Sequence, residues 1–157
     1  MKSSKFFLLI IAIAAILFTT ACEHGHDHDK DGDHFKAQGM VIKTEIDSIY
    51  IRIVEGQIDP TYNIKFMVPL NEMTQEYSIT FLDKDFNEIT TVPEDIKFSG
   101  LVRDNTIAEV YQKQGEEGKW KFSVRGLKLG ATTLEIRAMH GSHADFRAPA
   151  IGIEVIE

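Results

Sequence analysis

The chain has 157 residues, 43% of them hydrophobic, and a formal net charge of −7 at neutral pH. That length allows one domain plus a leader. The acidic balance, with no Lys/Arg stripe, excludes a nucleic-acid partner, which needs clustered cations. A single cysteine excludes an internal disulfide, so packing, helped at most by a metal, must hold the fold.

Lys2 and Lys5 precede Phe6–Phe18, an uncharged apolar run. Together they form the basic and apolar regions of a secretory signal. The run is shorter than the roughly 20 residues that span a bilayer as a helix. Small residues Thr20 and Ala21 then lead into Cys22, the only cysteine. Residues 1–22 resemble the signal of bacterial lipoproteins, departing from it at Thr19, where that family usually has Leu. The resemblance implies a signal peptide over 1–21 and acylation at Cys22, palmitate included. It places the chain in the bacterial cell envelope, lipid-anchored and at the outer membrane. Several acyl chains hold far more firmly than one, and acylation removes an otherwise reactive thiol.

Residues 22–39 read as a solvated, disordered tether, because no apolar period runs through them. They hold His24, His26, His28 and His34, four of the six histidines, interleaved with Asp27, Asp29, Asp31 and Asp33. Imidazole and carboxylate donors in a flexible tract suit a divalent transition metal, held loosely. Asp27-x-Asp29-x-Asp31-Gly32-Asp33 also copies the first half of a calcium loop. Its twelfth position is Gln38 rather than the bidentate Glu such a loop needs, so Ca²⁺ ranks behind Zn²⁺.

Residues 40–157 carry short β-rich runs. Met40–Glu45 and Ile49–Val54 come first, followed by a turn over Gly56–Pro60. Tyr62–Val68 alternates as a half-buried strand does, with Pro69 ending it. Glu76–Leu82 is a strand, and Glu88–Val92 continues extended. Ile96–Val102 and Ile107–Gln112 follow. Trp120, Phe122 and Val124 alternate with polar residues, as do Leu134, Ile136 and Ala138, and finally Ile151, Ile153 and Val155. Gly126–Gly130 is a turn, and Trp120 is expected in the core. No run outside the leader has a helical period. Many short strands between turns predict an all-β sandwich.

Trp120-Lys-Phe-Ser-Val-Arg-Gly-Leu-Lys-Leu-Gly-Ala-Thr-Thr-Leu-Glu-Ile resembles the closing half of bacterial immunoglobulin-like domains. Asn105-Thr-Ile-Ala-Glu-Val resembles their preceding strand. The resemblance implies an immunoglobulin-like β-sandwich, a fold that hosts many tasks.

Between the last two strands lies His140-Gly141-Ser142-His143-Ala144-Asp145-Phe146. Counting by twos from Leu134 puts His140 on the inward side, at the end of the sandwich, with His143 and Asp145 following in a loop. Two imidazoles and a carboxylate can supply three ligands and leave a fourth position open. Neighbouring Met139 points to the other face and would matter mainly for copper as Cu(I).

There is no Gly-rich phosphate loop, nucleophile elbow or helix-borne His-Glu-x-x-His, so no enzyme is expected. The reading is an envelope lipoprotein that captures, buffers or delivers Zn²⁺, with a metal transporter or outer-membrane protein as partner. Its metal ligands would be His24, His26, His28, His34, His140, His143 and Asp145. Binding should weaken as pH falls through about 6.5, the ordinary imidazole range. The alternative is a structural or adhesive module of a cell-surface or outer-membrane complex, with the His-rich tract as a spacer.

Overall fold

A computed structural model describes residues 34–157. The leader, Cys22 and the tether histidines His24, His26 and His28 lie outside the described residues. Those described form eleven strands and no helix. The strands are β1 (Gly39–Lys43), β2 (Ile49–Val54), β3 (Gln57–Ile58), β4 (Lys65–Pro69), β5 (Tyr77–Leu82) and β6 (Ile96–Val102). They continue with β7 (Ala108–Tyr111), β8 (Lys121–Gly126), β9 (Gly130–His140), β10 (His143–Arg147) and β11 (Ile151–Ile156).

Two sheets form the sandwich. One runs β3-β2-β1-β5-β8-β7; the other runs β10-β9-β11-β4, with β6 also paired to β9. The long β9 organises the second sheet. β6 lies along one edge of it, pairing Ile96 with His140 and Val102 with Leu134. β10 and β11 follow one another along its other edge. β11 then pairs in parallel with β4.

Alternation decides what is buried. Leu134, Ile136 and Ala138 of β9 and Ile151, Ile153 and Val155 of β11 point inward and are at most 3% exposed. From the other sheet come Met40, Ile42, Ile51, Ile53 and Phe81, all fully buried. A train of aromatic rings threads the core. Phe35 meets Phe81 at 4.8 Å, Phe81 meets Trp120 at 4.7 Å, and Phe98 stacks on Phe122 at 5.5 Å. Such pairs add about 0.5–1.5 kcal/mol each beyond area burial.

Several elements differ from the sequence reading. Phe35, which precedes the expected start of the body at Met40, is 7% exposed and a core residue. Tyr62–Ile64 stay outside the ladder. The Tyr62 and Asn63 amides donate to the Asp59 and Tyr50 carbonyls, and β4 starts at Lys65 and includes Pro69. Residues 88–92 make only an isolated bridge, Leu82 to Glu88. Gln57–Ile58, inside the expected turn, pairs with β2 as a short edge strand. Trp120 is half-buried, edge-on to Phe81 and Phe98 at the core's rim. The expected loop after His140 is a tight hairpin.

Candidate metal centre

The hairpin follows from Gly141. β9 ends at His140 and β10 starts at His143, the two pairing directly across a two-residue turn. Turns of that length need φ > 0 at their first residue, and Gly141 supplies φ 57°. Pairing brings the two imidazoles together, with ring centroids 5.3 Å apart.

One residue further on, the register breaks. Ala144 pairs with Met139 and Phe146 with Ala138, which leaves Asp145 as the extra residue of a β-bulge. A bulge re-aims side chains. Here the Asp145 side chain is 1% exposed, while Phe146 also packs inward, against Phe81 at 5.3 Å. Strict alternation would not turn both residues to the interior.

The incoming chain completes the cluster. Burial of Phe35 seats the residue before it, and the Phe35 amide donates to Asp145 Oδ2 at 2.9 Å. The other oxygen, Oδ1, faces two imidazoles: His143 Nε2 at 3.0 Å and His34 Nδ1 at 3.3 Å. His140 Nδ1 lies 3.6 Å from Oδ2. It is buried and has no hydrogen-bond partner among the described residues.

Four of the seven residues read as ligands from the sequence therefore meet. His34, His140, His143 and Asp145 each offer one donor atom, and these atoms all lie within 4.8 Å of one another. Donors held about 2.0–2.1 Å from a tetrahedral Zn²⁺ sit about 3.3 Å apart, close to the spacings around Asp145. Three nitrogens and one oxygen form a donor set for a borderline transition ion; Ca²⁺ takes oxygen ligands. Gln38, the last position of the sequence's calcium-loop pattern, leads into β1 with its amide bonded to Leu82, and no helix follows among the described residues.

The electrostatics favour an ionised Asp145. Burial on its own would push the carboxyl up. The Phe35 amide, the His34 hydrogen bond and the nearby His143 outweigh it and hold the group below its ordinary value. The carboxylate is thus anionic at neutral pH, with one oxygen fixed by the backbone and the other turned to imidazole.

Sequence reasoning missed Asp95, whose Oδ2 lies 3.0 Å from His140 Nε2. Nothing in its local sequence marks it. It comes near because the first residue of β6, Ile96, pairs with His140.

The chain matches no protein-family model and no curated protein. Solved structures similar to it include domains 4 and 5 of the S-layer protein SbsC, at 16% identity and a TM-score of 0.43, covering 60% of this chain and 49% of that one. A longer piece, SbsC domains 4–9, is 12% identical with a TM-score of 0.43, covering 77% of this chain and 22% of that one. This chain thus spans about half or less of their length. Similarity of that degree says nothing about function.

Proposed function

We propose that this chain is a non-catalytic β-sandwich module of the bacterial cell envelope that binds a divalent transition metal ion, Zn²⁺ before others. His34, His140, His143 and Asp145 are its ligands. The observation that carries this reading is His140 Nδ1, a buried nitrogen with no hydrogen-bond partner among the described residues, beside a buried carboxylate and two further imidazoles. Buried polar atoms nearly always find a partner, and a metal ion would satisfy this one.

The upstream histidines His24, His26 and His28 would collect ions loosely. Anchored by an acylated Cys22, the protein would buffer the ion or deliver it to a transporter.

A second reading is a purely structural or adhesive immunoglobulin-like module. The Phe35–Asp145 hydrogen bond favours it, because the cluster would then serve to pin the start of the domain to the β9–β10 hairpin.

Co²⁺ substitution separates the two. The metal reading predicts the intense visible absorption of a tetrahedral nitrogen/oxygen site at one equivalent, displaced by Zn²⁺ and lost in His140→Ala/His143→Ala. A spectrum identical to Co²⁺ in buffer would leave the structural reading standing.

A further inference from the structure

We infer that Asp95 is a positioning residue for the cluster: it holds His140 by Nε2 and so presents Nδ1, as a lone pair, to the ion. The inference rests on reading the cluster as a metal site.

A neutral imidazole carries a proton on one nitrogen and a lone pair on the other, and its neighbours decide which. His140 has a carboxylate near each nitrogen. On one side, Asp95 Oδ2 lies 3.0 Å from Nε2. On the other, Asp145 Oδ2 lies 3.6 Å from Nδ1, beyond hydrogen-bonding range, and that oxygen already accepts the Phe35 amide. The proton therefore belongs on Nε2, facing Asp95. Nδ1 is left unprotonated, buried and without a partner among the described residues, on the side of His34, His143 and Asp145.

The fold sets this up with little freedom. Ile96 donates its amide to the Pro93 carbonyl at 3.1 Å, closing a turn over Pro93–Ile96. Asp95 is the last residue before β6. Because Ile96 pairs with His140, the Asp95 carboxylate stands at the end of β9 beside the imidazole. Its side chain is 63% exposed, so it fills no part of the core. A carboxylate behind a ligating histidine fixes the ring's tautomer and orientation and raises its basicity.

Asp95→Ala removes the acceptor, while Asp95→Asn keeps a neutral one. Two-bond ¹H–¹⁵N correlation spectra of the metal-free full chain, at pH 8, read the His140 tautomer directly. Competition with a chromophoric chelator reads Zn²⁺ affinity. The wild type should show the Nε2–H form. Asp95→Asn should keep it and bind Zn²⁺ within a few-fold of wild type. Asp95→Ala should lose the single tautomer and bind roughly 10- to 100-fold more weakly. A wild-type Nδ1–H tautomer overturns the inference. So does an Asp95→Ala protein that keeps the wild-type tautomer, or that keeps the affinity of a Zn²⁺-binding wild type. If the wild type binds no Zn²⁺, the metal reading fails by itself, and the tautomer spectra still decide whether Asp95 holds His140.

Discussion

The backbone amide of Phe35 donates to the buried carboxylate of Asp145 at 2.9 Å, joining residues 110 apart in sequence. This bond fastens Phe35, the first core residue among those described, to the bulge in the β9–β10 hairpin. It also divides the carboxylate's work: Oδ2 serves the backbone and Oδ1 faces His34 and His143.

Removing that carboxylate should cost stability even without metal. Asp145→Ala leaves the Phe35 amide unsatisfied, at about 1–3 kcal/mol. The effect depends on pH. Asp145 has a lower pKa folded than unfolded, so its contribution is fully present above the ordinary carboxylate value. It fades as pH falls through the folded value. Urea unfolding with chelator present should show the variant's deficit at pH 7 and a shallower decline than wild type below about pH 4.

Metal should stabilise the folded chain through linkage. An ion that binds only the folded state adds about 2.7 kcal/mol at a free concentration 100 times its Kd. Thermal unfolding in buffered Zn²⁺ should show a concentration-dependent rise in Tm, reversed by chelator. The rise should be absent in His34→Ala/His140→Ala, since both imidazoles point at the same carboxylate.

Gly39 is required for close approach. A Cβ there would collide with the Ile53 carbonyl oxygen and press on Leu82 Cδ1 at 3.3 Å. Glycine in a strand normally costs stability relative to alanine. Here β1 is paired on both sides, and the obstructing atom is backbone, so the clash wins. Gly39→Ala should destabilise by about 1–3 kcal/mol, read from the urea midpoint.

Tyr77 should resist ionisation. It is 4% exposed, and burial first, then the neighbouring Tyr50, pushes its phenol well up. A raised folded pKa stabilises below the unfolded value of about 10, and this contribution is lost as pH climbs above it. Absorbance titration should therefore show one tyrosine fewer ionising near pH 10 than the sequence contains. Tyr77→Phe should flatten the alkaline loss of stability.

Much of the fold was legible in the residues because alternation reports burial directly. Ile49–Val54 and Ile96–Val102 are strands with the limits their patterns predict. What failed was local geometry that no pattern encodes. Gln57–Ile58 is too short to show a period, and it pairs only because β2 lies beside it. The bulge at Asp145 interrupts alternation without a glycine to mark it.

The candidate site was half legible. His140, His143 and Asp145 announce themselves by spacing. His34 looked like tether because its neighbours upstream are polar, yet the apolar Phe35 beside it was the sign of a seated residue. Asp95 could not be found at all, since its place depends on the β6–β9 register.

The most direct test is a calorimetric Zn²⁺ titration at pH 7.5. It would use the chain from Glu23, the same chain with His24, His26 and His28 changed to Ala, and His140→Ala/His143→Ala. The account predicts saturable binding of one ion that survives loss of the three upstream histidines and disappears with the hairpin pair. Binding that vanishes with the upstream histidines alone, or no binding in any of the three, would contradict it.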